Sequence, residues 1–159
     1  MTDEQFTPLA ERYMDTVFRV AYSYLRCRDD ADDVTQDVLI QLYKTDKAFD
    51  DDAQVKNWLI RVTVNRFKNV LRAPWHKAED IADYENSLTF EEPRCQELFD
   101  AVMALDRRYR VPVLLYYYEG YRQREIAGLL GIPEETVRTR LARARDKLKH
   151  ILSEVPQYA

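Results

Sequence analysis

The stretch Gln123-Arg124-Glu125-Ile126-Ala127-Gly128-Leu129-Leu130, followed by Gly131-Ile132-Pro133 and then by Glu134 through Leu152, reads as a short helix, a tight turn and a longer second helix. Two helices joined through a short turn that contains glycine have the form of a DNA-reading helix-turn-helix. In the second helix Val137, Leu141, Ala144, Leu148 and Leu152 recur at steps of three or four and make one apolar, inward-facing stripe. Thr139, Ala142 and Arg143 fall on the opposite side, flanked by Arg138 and Arg140. A helix that enters a groove needs small or hydrogen-bonding residues at base edges and cationic forks beside phosphates, and this helix carries both. A solvated basic surface helix has the same charge; the Gly-Ile-Pro turn and the helix before it move the reading toward DNA.

Working outward, 159 residues suffice for one average domain or two compact helical ones, and leave no room for a large active-site fold. With 3 Gly, 6 Pro and 33% charged residues, the composition favours helices, and the expected fold class is all-α. The net charge of -4 is unexpected for a DNA binder until it is divided along the chain. From Asp106 onward 11 basic residues face 7 acidic ones, whereas His76 to Glu92 sets one lysine against six carboxylates. Base collected in one segment and acid in another points to separate partners. Cys27 and Cys95 lack CxxC spacing and His76 and His150 stand apart from them, which argues for reduced cytosolic thiols over a zinc site or a disulfide framework. Met1 to Phe6 has no basic-then-apolar leader pattern, and no apolar run approaches spanning length, so a cytoplasmic protein without membrane insertion is expected. No metal or cofactor is called for.

Three periodic segments fill the first half. From about Phe6 to Arg26, Leu9, Tyr13, Val17, Val20 and Tyr24 form a broad apolar stripe. The next segment opens on Asp29-Asp30-Ala31-Asp32-Asp33, carboxylates that suit a helix N-terminus; Ala31, Val34, Val38 and Leu42 then face inward, and Asp33, Gln36, Asp37 and Gln41 outward. From about Ala53 to Arg72, Leu59, Val62 and Val70 lie on a core side, and Arg61, Asn65, Lys68 and Arg72 form an outward stripe beside Trp58. Cations with interleaved amides next to an aromatic suit unpaired nucleic acid, and a solvated helix face has the same pattern. Periodicity fades between Ala73 and Pro93, where Pro74, Asn86-Ser87 and Glu91-Glu92-Pro93 interrupt an acidic stretch that reads as a linker. A helix from about Arg94 to Leu105 follows, with Leu98, Ala101, Val102 and Leu105 inward. Another runs from Arg107 to Tyr118 with Val111, Leu114, Leu115 and Tyr118 inward; Pro112 should kink or tighten it, and Gly120 should end it.

Three blocks in this order resemble the extracytoplasmic-function (ECF) sigma factors of bacterial RNA polymerase, over roughly Tyr13 to Leu152 without the linker. Asp30-Ala31-Asp32-Asp33-Val34-Thr35-Gln36-Asp37-Val38 is similar to the family's Ala-Glu-Asp-x-x-Gln-Glu helix of region 2. Trp58-Leu59-Ile60-Arg61-Val62-Thr63-Val64-Asn65 is similar to its Trp-Leu-x-x-Ile-x-x-Asn helix at the −10 element. Tyr118-Glu119-Gly120, Glu125-Ile126-Ala127, Leu130-Gly131-Ile132-Pro133, Thr136-Val137-Arg138 and Arg143-Ala144-Arg145 look like region 4, the reader of the −35 element. The resemblance implies two small helical domains, region 2 over 1–75 and region 4 over 94–159, joined by an acidic linker over 76–93.

It further implies a sigma factor that directs core RNA polymerase to promoter DNA, is restrained by an anti-sigma factor, and is no enzyme. Core polymerase would be met by Asp33, Gln36 and Asp37. The −10 strand would be met by Phe49, Trp58, Ile60, Arg61, Val62, Asn65, Lys68, Asn69 and Arg72, with Phe49 in the Thr45-to-Gln54 loop. The −35 duplex would be met by Arg122, Glu135, Arg138, Thr139, Arg140 and Arg143. The linker would follow the polymerase's RNA-exit path. The chain departs from the family at several positions. Arg122 replaces a capping Ser or Thr, a loss of roughly 1 kcal/mol. Asp106 replaces a proline and is expected to cap the next helix, Glu135 replaces a glycine, and Ile60 stands where an aromatic is common. The alternatives are a one-component helix-turn-helix regulator that does not dock on polymerase, and a magnesium-dependent prenyl-transferring enzyme suggested by the Asp29 to Asp33 and Asp50 to Asp52 clusters.

Overall fold

The computed structural model describes residues 1–72 and 93–153, with side chains described over 1–67 and 97–153. Contacts divide the chain into two compact units, Met1–Glu85 and Asn86–Ala159. Among the described residues every regular element is helical. The expected linker lies outside them apart from Pro93, which opens a helix at the position where its missing N–H would be unpaired anyway.

In the first unit α1 (Asp3–Leu25), α2 (Arg28–Lys44) and α3 (Asp52–Arg72) pack against one another. Helix α1 starts earlier than its apolar periodicity suggests, because Thr2 and Gln5 form a capping box: the Gln5 N–H donates to Thr2 Oγ1 at 3.3 Å and the Thr2 N–H to Gln5 Oε1 at 3.1 Å. Its interior residues are Tyr13, Val17, Val20, Ala21, Tyr22 and Leu25. Leu9 and Tyr24 are half-buried, and the Tyr24 ring stacks on Phe67 of α3 with centroids 3.7 Å apart. Ala31, Val34, Val38 and Leu42 of α2 are buried as expected. Helix α3 departs from its expected phase. Val55, Leu59, Ile60, Val64 and Phe67 form its interior, Val62 is half-buried, and Val70 falls outside the described side chains. The buried Thr35 and Thr63 hydroxyls donate to the carbonyls of Ala31 and Leu59, four residues back, at 2.7 and 2.6 Å, so no polar atom there is stranded.

The second unit comprises α4 (Pro93–Met103), α5 (Arg107–Val113), α6 (Gln123–Leu130) and α7 (Glu134–Ser153). Helix α7 is the hub, in contact with α4, α5 and α6 through Val137, Leu141, Ala144 and Leu148. Fully burying a valine or leucine side chain is worth about 1.5 to 3 kcal/mol. Two expectations are corrected here. Leu98 is exposed, because Phe99, Val102 and Met103 occupy the inward side of α4; Leu98 instead edges an apolar groove with Tyr117 and Leu152. Pro112 does not tighten the helix. The segment after it widens into a π-helical turn, Leu114–Tyr118, in which the Glu119 N–H donates to the Leu114 carbonyl at 3.1 Å. Gly120 follows at φ 74°, the left-handed geometry that terminates helices. Asp106 holds the N-cap position of α5, but its side chain makes no cap bond and faces Arg108 at 3.7 Å.

Leu141→Ala is expected to lower the unfolding free energy of the full chain by about 2 to 5 kcal/mol, since the vacated interior cannot fully collapse. Gly131→Ala places its Cβ in open space at φ 69°, and should cost only about 1 to 2 kcal/mol of backbone strain. Urea unfolding followed by circular dichroism separates the two; equal losses would contradict the assignment of α7 as the hub.

Candidate nucleic-acid interfaces and docking face

The turn between α6 and α7 is built by the backbone. Gly131 is left-handed, and the N–H groups of Gly131 and Ile132 both donate to the Ala127 carbonyl, at 2.9 and 3.1 Å. Pro133 cannot continue α6, and its carbonyl accepts the Val137 N–H at 3.2 Å, starting α7. Ile126 and Leu129 bury the inner side of α6. Arg122 occupies the N-cap of α6 without capping it: a guanidinium has no acceptor, and only the reverse bond is made, from the Arg122 N–H to Glu125 Oε1 at 3.0 Å.

Burial of the Val137 to Leu148 stripe turns Glu135, Arg138, Thr139, Ala142 and Arg143 outward. Glu135, Thr139 and Arg143 line one groove of about 480 Å³, and half-buried Arg140, expected on the flank, lines it with them. Arg138 lies outside the groove lining and sits 3.9 Å from Glu134, one turn back. The far wall carries two residues that the sequence reading passed over, Arg108 and Tyr109 of α5. The Arg108 guanidinium lies over the Tyr109 ring at 4.9 Å and the Lys147 ammonium approaches the same ring at 5.5 Å, so a nearly buried aromatic holds two cations near one rim. The signal was there: Arg107-Arg108 opens a helix, where the macrodipole disfavours positive charge, so the pair gains nothing locally. The groove is therefore cationic on both walls, with one carboxylate, Glu135, among the small and polar residues.

In the first unit Asp33, Gln36 and Asp37 are exposed on one face of α2, and Ile40, 50% exposed, continues that face by one turn. The half-buried Gln41 amide oxygen, in the orientation that satisfies both groups, accepts from Arg66 of α3. An acidic-and-amide surface with an exposed aliphatic residue beside it offers both charge and apolar area to a protein partner.

The third surface gathers the loop 45–51 and the outer side of α3. Phe49 and Trp58 meet edge-to-face at 5.8 Å, and Lys47 lies 5.8 Å from the Phe49 centroid. Trp58, Arg61, Val62 and Asn65 share one side of α3 at helical spacing, with Arg61 and Asn65 exposed. Ile60, expected in this group, is fully buried; it belongs to the interior and leaves the surface. The side chains of Lys68, Asn69 and Arg72 lie outside the described residues. The three consecutive aspartates each serve the loop. Asp51 Oδ1 accepts the Gln54 N–H at 2.9 Å and caps α3, Asp50 Oδ2 accepts from Gln54 Nε2 at 3.2 Å, and Asp52 pairs with Arg12. The hydrogen bond that the Tyr43 phenol donates to Asp3, with the negative charge of Asp3, holds its pKa above the usual tyrosine value.

Comparison with known proteins bears on these surfaces. The chain matches the family described as Sigma-70 region 2 over residues 9–77 and Sigma-70, region 4 over residues 95–148. It is 32% identical over 152 residues to the ECF RNA polymerase sigma factor SigM of Mycobacterium tuberculosis, spanning 92% of this chain and 76% of that protein. It is 28% identical over 162 residues to the ECF RNA polymerase sigma-E factor of Escherichia coli, covering 90% of this chain and 84% of that one. Among solved structures, CnrH in complex with the cytosolic domain of CnrY aligns with TM-score 0.63 and 25% identity over 98% of this chain and 92% of that one. The sigma factor RpoE from Bartonella quintana, in complex with the anti-sigma factor NepR, shares the fold at TM-score 0.69 and 20% identity, over 96% of this chain and 99% of that one.

Because Arg122 leaves the capping box of α6 half-formed, Arg122→Ser should complete it with Glu125 and stabilise the second unit by about 0.5 to 2 kcal/mol. Slower amide hydrogen exchange across Gln123–Leu130 is the expected readout. Unchanged exchange would mean that the first turn of α6 is already fully satisfied.

Proposed function

The chain belongs to the ECF sigma factors of RNA polymerase, and from that membership we propose how its two units divide the work of transcription initiation. A sigma factor lends promoter specificity to core polymerase; it performs no covalent chemistry of its own. Specificity of that kind needs a duplex reader and a strand reader on one chain. The observation that carries the assignment here is the groove of the second unit, where Glu135, Thr139, Arg140 and Arg143 of α7 face Arg108 across a space lined by small and polar groups. This is what a helix presented to a major groove requires: forked cations able to take guanine edges, a hydroxyl adaptable to either base, and a carboxylate able to accept from a cytosine amino group. The second unit, with Arg122 and Arg138 at the margins for phosphates, is the −35 reader.

The first unit has two tasks. Asp33, Gln36 and Asp37 dock core polymerase, with no interior residue involved, since the buried stripe of α2 lies on its other side. Phe49, Trp58, Val62 and Asn65, with Arg61 for the backbone, receive the unpaired −10 strand; Lys68, Asn69 and Arg72 extend that row along the sequence. Stacking on an aromatic pair offsets the few kcal/mol needed to unstack a base. The acidic segment 76–93 connects the two as a linker along the polymerase's RNA-exit path. An anti-sigma partner is proposed because two structural neighbours are complexes, RpoE with the anti-sigma factor NepR and CnrH with the cytosolic domain of CnrY. A cytoplasmic location follows from the task; in the structure, no described helix is long and apolar enough to cross a membrane. The match to region 2 disfavours a regulator that acts without polymerase.

Arg143→Ala is expected to cost about 1 to 3 kcal/mol of −35 duplex binding and to relax preference at particular bases, whereas Arg138→Ala should weaken all sequences alike and flatten the salt dependence. A base-by-base scan of the −35 element checks this, and preferences unchanged by Arg143→Ala would show that the reading face is placed wrongly. Asp33→Lys combined with Asp37→Lys should weaken binding to core polymerase at unchanged helicity. A binding titration with core enzyme that shows equal affinity would remove these two residues from the docking face.

A further inference from the structure

The loop 45–51 carries Phe49, whose ring meets Trp58 of α3, and on its α1 side it borders open space. A cavity of about 600 Å³ separates it from α1, lined on one side by Met1, Gln5 and Leu9 and on the other by residues 45–52 with Val55. Within the loop the bonds are local and exposed: the Lys47 N–H to Thr45 Oγ1 at 3.2 Å, and the Asp50 N–H to Gln54 Oε1 at 3.0 Å. A seven-residue segment over open space, left to itself, samples many conformations, and each ordered residue costs about 1 to 2 kcal/mol of backbone entropy. With only the Phe49 ring seated on Trp58, its position depends also on how its ends are held.

Both ends are tied to the same helix. At the leading end the Tyr43 hydroxyl donates to Asp3 Oδ1 at 2.8 Å, and the Tyr43 ring meets Phe6 edge-to-face at 5.2 Å. At the trailing end Arg12 pairs with Asp52, and the Tyr13 hydroxyl donates to the Asp52 carbonyl at 3.2 Å. Asp3 and Arg12 are nine residues apart, about 13 to 14 Å along a rigid helix axis. Gln5, Leu9 and Arg12 recur at helical spacing, so one side of α1 spans the loop from end to end.

We propose that α1 is the positioning element of the strand-capturing loop, with Asp3 acting through Tyr43 and Arg12 with Tyr13 acting through Asp52, so that Phe49 is presented beside Trp58 before any strand arrives. These five residues act as positioning groups and not as strand contacts, by reducing the conformations from which capture must begin. The inference rests on the reading of Phe49 as a −10 contact. It also explains why α1 begins with a completed capping box, since fraying of the first turn would release Asp3.

The test uses full-length protein with core polymerase on a cognate promoter. Tyr43→Phe combined with Arg12→Gln keeps both apolar stems and removes two ties. Permanganate reactivity of the promoter bubble should fall by roughly threefold to tenfold, the range expected for one or two modest polar contacts. Binding to core enzyme and to the −35 duplex should stay unchanged, as should far-UV dichroism. Asp3→Asn, which keeps an acceptor for Tyr43, should open the bubble normally, while Asp3→Ala should not. Phe49→Ala serves as the reference. If it abolishes opening while the double variant opens normally, the positioning role is overturned and the loop reading stands. If Phe49→Ala opens normally, both fall together. A parallel loss of core binding or helicity in the double variant would also overturn the proposal, since α1 would then support only the fold.

Discussion

Burying one stripe of a helix fixes its rotation about its own axis, and in this protein that constraint decides which residues are available for function. Val137, Leu141, Ala144 and Leu148 are held inside the second unit, so Glu135, Thr139 and Arg143 point outward. Ala31, Val34, Val38 and Leu42 play the same part in α2, and Asp33, Gln36 and Asp37 are presented because of it. Each surface is the reverse side of a hydrophobic contact made by its own helix. A substitution that weakens an interior stripe would therefore blur recognition before abolishing the fold.

Several buried polar side chains are satisfied by backbone carbonyls close by in the chain. Buried threonines return their hydroxyls to carbonyls four residues back, and the Arg110 guanidinium, nearly fully buried, donates to the Leu105 carbonyl at 3.1 Å just beyond the end of α4. The π-helical turn at Leu114–Tyr118 ends in left-handed Gly120, two deviations in succession between α5 and α6. Deviations of this kind persist where surrounding packing outweighs their cost. Buried Leu114 and Leu115 supply that packing, while Tyr117 is turned outward to accept the Arg145 Nε–H at 2.6 Å.

Charge is distributed with the same economy. In the second unit Arg108, Arg140 and Arg143 line one groove, and Arg108 and Lys147 approach one tyrosine ring from α5 and α7. In the first unit, the loop aspartates cap a helix or pair with Arg12. A protein with a net charge of -4 can therefore present a cationic surface to DNA and an acidic one to a protein, because the two are on different units.

The helix-turn-helix was legible in the sequence because its determinants are local. Gly131 and Pro133 dictate the turn, and the repeat of Val137, Leu141, Ala144 and Leu148 dictates the inward side, whatever surrounds them. The acidic face of α2 was legible for the same reason. Tertiary structure decided what local periodicity leaves open. Several phases of α3 satisfy an apolar stripe, and only packing against α1 and α2 chose the one that buries Ile60 and leaves Val62 half-exposed. On α4 Phe99 lies inward and its neighbour Leu98 outward, a phase that the packing of the second unit decided. Arg108 and Tyr109 joined the groove, and Tyr43 and Asp52 came to opposite stretches of α1, because residues distant in sequence meet only when helices dock. Such meetings depend on the shapes of both partners, and no spacing within a single helix records them.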